Sequence, residues 1–328
     1  MKYNAGITGI GISLPNNVLT NKDLENMVET SDEWIVTRTG IKERRIADKD
    51  TAASDISSEA AKKAIEMANI DSKDVDLIIV ATVTPDMMYP STAAIVQNNI
   101  GAINAAAFDV SAGCTGFIYA VTIAKQFIET GFYRNIVVIG CDILSRVTDF
   151  TDRNTCVLFG DGCGAVVISR TEEDGIIGEF IMANGAGGNF LTLPAGGSRM
   201  PSSFETVEKR LHYTSMNGPE VFKFAVKAMP EAAIKLLEKY NLNLSDIDYL
   251  IPHQANIRII ESAAKRLGIS MDKVGITLDR YGNMSSASIP VTLYDSFIRS
   301  EIKQGDNILL VGFGAGLTYG AVLIKWII

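Results

Sequence analysis

The chain has 328 residues, 47% of them hydrophobic and 21% charged, a composition that supports a sizeable core and excludes a disordered polypeptide or a disulfide mini-protein. Thirty basic against 38 acidic side chains leave a formal charge of −8, which argues against a general affinity for nucleic acid or membrane and requires a dedicated site for any polyanionic ligand. Cys114, Cys141, Cys156 and Cys163 lack C-x-x-C spacing and nearby histidines, so no structural zinc site is expected.

From the N-terminus, Met1–Gly6 shows no charged segment followed by an apolar run, so no signal peptide is expected; the thiols are expected to be free in a reducing cytoplasm. Strand-like and helix-like runs then alternate, the pattern of a layered α/β protein. Helices are predicted over Ile56–Ala68, Gly116–Glu129, Glu220–Tyr240, Ile257–Leu267 and Ala287–Glu301, and strands over Leu77–Thr82, Asn135–Gly140, Ala165–Ser169, Tyr249–Ile251, Asn307–Gly312 and Ala321–Trp326. The Gly- and Ser-rich stretch Glu172–Thr214 reads as a loop between two halves. Ile308 to Ile324 carries no charge, but Gly312, Gly314, Gly316 and Gly320 interrupt it, so two strands around a glycine turn are predicted instead of a membrane span.

Glu66, Asn69, Asp74 and Asp76 recur 172 positions later as Glu238, Asn241, Asp246 and Asp248. Asn135-Ile-Val-Val-Ile-Gly140 resembles Asn307-Ile-Leu-Leu-Val-Gly312, and Gly164-Ala-Val-Val-Ile168 resembles Gly320-Ala-Val-Leu-Ile324. Ordered matches of this kind point to an internal duplication, with halves at 1–171 and 172–328.

Four segments could carry chemistry. In Asp109-Val-Ser-Ala-Gly-Cys114-Thr-Gly-Phe-Ile-Tyr119 a strand ends and a helix begins, which puts Cys114 at a helix N-terminus where a thiolate is favoured. A buried small thiol fits the same pattern. In Ile251-Pro-His253-Gln-Ala-Asn256-Ile-Arg258 the histidine stands at the carboxyl end of a strand, the usual place for ligand contact in α/β sheets, although a core histidine is the plainer alternative. Asn283 in Arg280-Tyr-Gly-Asn283-Met-Ser-Ser-Ala-Ser-Ile-Pro290 falls close to where Cys114 falls in the other half, and suits either a turn or a site. The turn Gly312-Phe-Gly314-Ala-Gly316 lacks the Gly-Lys-Ser/Thr ending of a phosphate loop, and could present backbone N–H groups to a reacting carbonyl.

Together Ser-Ala-Gly-Cys114-Thr-Gly-Phe, Pro-His253-Gln-Ala-Asn-Ile-Arg, Gly-Asn283-Met-Ser-Ser-Ala-Ser and the closing Phe-Gly-Ala-Gly turn resemble the β-ketoacyl-acyl carrier protein synthase III family over essentially the whole chain. The resemblance implies a thiolase-like duplicated five-layer αβαβα sandwich, a homodimer, and a Cys114, His253 and Asn283 active site between the halves. It implies a decarboxylative condensation of a short acyl-CoA with malonyl-acyl carrier protein. CoA would enter as a thioester substrate, with no resident cofactor and no metal. The expected oxyanion donors are the backbone N–H groups of Cys114 and of the turn at Ala315.

By the same likeness Trp34 and Arg153 would hold adenine, with Arg38 near phosphate and Asn256 beside the pantetheine arm. Asn154 stands where members often have glycine. Gln254, Ala255, Asn256, Ile257 and Arg258 match the segment presented to acyl carrier protein, where Lys265 and Arg266 would add positive charge. Tyr89, reaching across the dimer, and Phe222 match acyl pocket and tunnel positions. Two other readings stay open here: a related acyltransferase of specialised metabolism, and a noncatalytic acyl-CoA binding protein. A papain-type hydrolase is disfavoured, because its Cys-Gly-Ser/Ala-Cys-Trp/Tyr context is absent.

Overall fold

The computed structural model describes residues 2–328. Nine strands build two sheets: β1 (Asn4–Ser13), β2 (Leu77–Ala81), β3 (Ala106–Val110), β4 (Asn135–Ile143), β5 (Asp161–Thr171), β6 (Ile176–Ala183), β7 (Tyr249–Pro252), β8 (Asn307–Gly314) and β9 (Thr318–Lys325). The first sheet runs β1-β5-β4-β2-β3 and the second β6-β9-β8-β7. In both, the first two pairings are antiparallel and the third is parallel, so the second sheet repeats the first without a counterpart of β3.

Alternation along these strands divides the core into layers, because successive side chains point to opposite faces. Ile78, Val80, Val137 and Ile139 pack outward against Ala60, Ala61 and Ala64 of α1 (Ala53–Met67). Leu77, Ile79, Ile136 and Val138 face inward, and so do Ile308, Leu310 and Val322 of the other sheet. Between them lie α2 (Gly116–Glu129), through Phe117, Ile118 and Val121, and Ile289 and Leu293 of a later helix. The outward residues Leu309, Val311 and Leu323 pack on α3 (Gly218–Tyr240) and α4 (Ile257–Leu267). The later helix is α5 (Ser288–Ile298), and the result is the five-layer αβαβα sandwich. Strands covered on both faces read as unbroken apolar runs, and α2 is apolar nearly all round.

The repeated residues have repeated tasks. Asn69 and Asn241 end α1 and α3 in left-handed backbone, at φ 53° and 55°. In each case the next residue's N–H bonds back to a carbonyl five residues earlier, Ile70 to Ile65 and Leu242 to Leu237. Asp76 accepts the N–H of Asn135 at 2.9 Å, and Asp248 that of Asn307 at 2.9 Å; the Asn135 and Asn307 amides donate to the carbonyls of Asp74 and Asp246. Each clamp sets neighbouring parallel strands in register.

One expectation is corrected. The stretch 172–214 is not simply a loop: Ile176–Ala183 is the edge strand β6, paired with β9 from Thr318↔Ala183 onward. The glycine-rich N-terminus also forms the edge strand β1. A Cβ on Gly9 would stand 2.2 Å from the Ala64 carbonyl oxygen, so α1 packs directly on backbone there. That glycine dilutes the apolar signal by which a strand is read.

Because left-handed backbone costs a β-branched residue about 1–2 kcal/mol, Asn241→Val is expected to lose that much stability while Asn241→Gly stays near the parent. Denaturant unfolding of both variants checks this. Equal losses would place the effect in the amide side chain instead of in φ.

Candidate active site

Cys114 sits in a single tight turn, Gly113–Thr115, between β3 and α2. Its approach requires glycine twice. Gly113 has φ 56°, and a Cβ there would meet the Ala315 nitrogen at 2.6 Å; a Cβ on Gly314 would meet the Cys114 nitrogen at 2.5 Å. The turn that carries the cysteine therefore lies directly on the backbone of the other half. Thr115 and Thr318 pin the contact, the Thr115 hydroxyl donating to that of Thr318 at 2.7 Å and the Thr318 hydroxyl to the Ala112 carbonyl at 3.0 Å.

The duplicated position is instructive. In the 172-residue register Gly113 corresponds to Ser285 and Cys114 to Ser286. Ser285 keeps the left-handed backbone at φ 48°, although it is not glycine. Ser286 is closed off, donating from its hydroxyl to Asp142 Oδ2 at 2.7 Å or the Ala81 carbonyl at 2.8 Å. Asp142 is fully buried and also accepts from the backbone N–H of Ser286 and Val83 and from the hydroxyls of Thr82 and Thr84. Burial holds its carboxyl above the usual range, and hydrogen bonds from Val83, Ser286 and Ser285 oppose this. Sequence reasoning missed Asp142. Its only signal was a charge inside a strand that is otherwise apolar.

Cys114, by contrast, opens onto two cavities. One, of about 200 Å³, runs along Val83, Leu144, Val147 and Leu193. The other, of about 150 Å³, leads past His253, Asn283 and Phe313 to Phe222 and Asn256. Phe159 and Leu191 line both. Burial pushes the Cys114 thiol up to about 12, the Asp142 charge adds to this, and the Ser285 hydroxyl and the cysteine's own N–H pull the other way. The thiolate expected from the helix end is therefore not the resting form: desolvation outweighs the favourable N–H groups.

His253 follows β7 directly, its N–H held by the Val311 carbonyl at 2.8 Å. The ring is buried, meets Phe313 edge-on at 5.5 Å, and neither ring nitrogen has a partner among the described residues. Burial drops its pKa to about 3, so the imidazole is neutral. Asn283 is fixed from both sides, its N–H to the Leu158 carbonyl at 2.9 Å and its carbonyl to the Gly160 N–H at 3.0 Å. Its Oδ1 accepts the Ser285 N–H at 2.9 Å, which leaves the Nδ2 hydrogens for the cavity. Cys114, His253 and Asn283 thus line one chamber.

At the surface, the Arg153 guanidinium lies 4.4 Å from the Trp34 ring centroid and that of Arg38 5.9 Å. Asn154 donates its amide to Asp152 Oδ1 at 2.8 Å. Asn256 caps α4 through the Arg258 N–H and donates to the Arg38 carbonyl at 2.9 Å. Ala255 and Ile257 are half-buried beside it, and exposed Arg258 lies 5.6 Å from the Phe222 ring. Two placements differ from expectation. Gln254 is 0% exposed, so it is not a surface contact for a carrier protein; its amide is consumed by four backbone bonds inside the fold. Phe222 lines the cavity on the His253 side and not the one along Val83 and Leu193. Tyr89 is 85% exposed and lines neither cavity of its own chain. Among the described residues no cluster of His, Cys, Asp and Glu is placed to hold a metal, and no helix is long and apolar enough to cross a membrane.

A duplicated sandwich with cysteine, histidine and asparagine meeting at its seam has the architecture of a thiolase-like enzyme. Comparison with known proteins narrows the class. Residues 108–185 match the family described as 3-oxoacyl-[acyl-carrier-protein (ACP)] synthase III, and residues 237–326 match its C-terminal part. The beta-ketoacyl-[acyl-carrier-protein] synthase III of Caldanaerobacter subterraneus subsp. tengcongensis is 60% identical over 99% of this chain and 98% of its own length. That of Clostridioides difficile is 56% identical, over 99% of each chain. The crystal structure of 3-oxoacyl-[acyl-carrier-protein] synthase III from Aquifex aeolicus VF5 superposes with a TM-score of 0.91 at 45% identity, covering 98% of this chain and 100% of that one. The chain belongs to the 3-oxoacyl-[acyl-carrier-protein] synthase III family.

Because the thiol pKa lies near 12, alkylation of Cys114 by iodoacetamide in the free protein is expected to keep accelerating with pH without a plateau below about pH 10. Mass spectrometry of the labelled cysteine against pH checks this. A plateau near neutrality would mean that the helix end prevails over burial.

Proposed function

We propose that the chain is a β-ketoacyl-acyl carrier protein synthase III that joins a short acyl-CoA to malonyl-acyl carrier protein at Cys114, initiating type II fatty acid synthesis. The observation that carries this is one chamber lined by a cysteine, a neutral histidine and an asparagine with free amide hydrogens, opening on an apolar cavity beyond the sulfur.

In the first half-reaction the Cys114 sulfur bonds to the acyl carbonyl carbon, and the tetrahedral oxyanion collapses with loss of CoA. The thiol proton goes to the departing CoA sulfur, so no resting thiolate is required. The N–H groups of Cys114 and Ala315 are the candidate oxyanion donors, and the close backbone contact at Gly113 and Gly314 supports that role. The acyl chain then extends between Val83 and Leu193.

In the second, the C–C bond to the malonyl carboxylate breaks and CO2 leaves with its electron pair left on the α-carbon. Negative charge spreads to the thioester oxygen, where the imidazole N–H and the Asn283 amide donate. Both are neutral donors, weak acids that stabilise the charge without protonating the carbon. The carbon attacks the acyl-cysteine, the 3-oxoacyl-carrier protein departs, and the sulfur regains a proton from solvent.

CoA binding draws on Trp34, Arg38, Arg153 and Asn256. A planar guanidinium over an indole is suited to an adenine ring and its phosphates. The carrier protein, an acidic partner, is assigned to the surface at Ala255, Asn256, Ile257 and Arg258, without Gln254. The protein works as a cytoplasmic homodimer, and Tyr89 acts across the partner interface; its 85% exposure in the single chain supports this.

Cys114→Ala is expected to abolish transfer from acyl-CoA while decarboxylation of malonyl-acyl carrier protein persists. His253→Ala or Asn283→Ala is expected to cut decarboxylation about 10²–10³-fold through loss of one oxyanion donor. CoA release and CO2 release measured separately test both, and condensation by Cys114→Ala at the parent rate would refute the reading.

With the His253 pKa near 3 and the neutral ring as the working form, decarboxylation is expected to show no histidine titration between about pH 5 and pH 8. A rate that falls with a midpoint near the ordinary histidine value would show that the imidazole is not desolvated.

A further inference from the structure

Gln254 is the one residue of the His253-Gln254-Ala255-Asn256 run whose side chain reaches neither the cavity nor the surface. Its carboxamide is nonetheless fully used. Nε2 donates to the Pro252 carbonyl at 2.8 Å and to the Gly275 carbonyl at 3.1 Å, while Oε1 accepts the N–H groups of Thr277 at 3.0 Å and Leu278 at 3.1 Å. Two donors and two acceptor sites are all that such an amide has.

The two segments it joins are those that carry the decarboxylation donors. Pro252 ends β7 and precedes His253. Leu278 opens the short helix Leu278–Tyr281, which runs through Gly282, at φ 65°, into Asn283. Among the described residues neither His253 nor Asn283 has its cavity-facing group held by another side chain: the imidazole nitrogens are unpartnered and the Asn283 amide is tied only through Oδ1. The separation of the two donors is therefore set by backbone, and Gln254 is the side chain that spans the two backbones.

We propose that Gln254 is a positioning residue that holds His253 and Asn283 at the spacing needed to receive the malonyl thioester oxygen, and not a contact for the carrier protein. The inference deepens the condensing reading and rests on it. Cys114 belongs to a different turn, packed on Gly314 and Ala315, so its acylation does not depend on this amide.

Two variants test it. Gln254→Glu preserves shape and both acceptor sites but presents oxygen to the Pro252 and Gly275 carbonyls; Gln254→Met preserves volume and removes all four bonds. Acylation of Cys114 by acyl-CoA, followed by intact-protein mass spectrometry, reports folding and the first half-reaction, and CO2 release from malonyl-acyl carrier protein reports the second. Both variants are expected to lose about 10–100-fold in kcat for CO2 release, with KM for malonyl-acyl carrier protein and the rate of acylation held within about twofold. A raised KM at unchanged kcat would restore Gln254 to the carrier-protein surface and overturn the proposal. Equal loss of acylation and decarboxylation would reduce it to general scaffolding and overturn it too, as would no change in either. A parent enzyme that neither acylates nor releases CO2 would instead defeat the condensing reading on which the proposal stands.

Discussion

A Cβ on Gly314 would lie 2.5 Å from the Cys114 nitrogen and one on Gly113 would lie 2.6 Å from that of Ala315, distances that no side chain tolerates. The two halves of the molecule meet backbone to backbone at this point, and Cys114, the proposed nucleophile, stands in the seam. Much else follows from that contact. It carries the cysteine from the first half to within one chamber of the histidine and asparagine from the second. Ser286, the cysteine's counterpart in the repeat, is locked onto Asp142 and Ala81. One of two equivalent turns has thus kept a structural task while the other opens on cavities.

The same dry environment acts in opposite directions on the two titratable members of the site. It raises the thiol to about 12, which works against a resting thiolate, and lowers the imidazole to about 3, which keeps it an uncharged donor. In the proposed reaction the two effects serve different half-reactions. A sulfur that ionises only as it attacks stays protected between turnovers, and a histidine that never becomes imidazolium does not quench the carbanion. Ser285 and Asp142 lie behind the sulfur with opposite influence, the hydroxyl lowering and the carboxylate raising its pKa.

The repeat was legible because its markers do backbone work that few residues can do. Asn69 and Asn241 end helices in left-handed backbone, and Asp76 and Asp248 bind strand-start N–H groups, so each recurs in place. The catalytic candidates were legible as a set, through motifs whose order matches a family, more than through any local pattern. β1 was not read, because glycine replaces the apolar residues that mark a strand where α1 packs on bare backbone; β6, with Gly178 as its only glycine, was absorbed into the Gly- and Ser-rich stretch 172–214 that surrounds it. Gln254 was misplaced for a related reason. Its neighbours on both sides belong to the site or the surface, and nothing in a string of letters tells that a glutamine turns inward to bind Gly275, Thr277 and Leu278. Asp142 was passed over because its partners come from β2's exit and from the distant turn before α5.

The central claim is that Cys114 divides an apolar acyl cavity from a decarboxylation chamber. A crystal structure of the enzyme acylated on Cys114 with a short chain tests it directly. The account predicts the chain between Val83 and Leu193, the thioester oxygen on the N–H groups of Cys114 and Ala315, and the chamber at His253 and Asn283 still open to a second substrate. An acyl group lying against His253 and Asn283, with the cavity at Val83 empty, would contradict it.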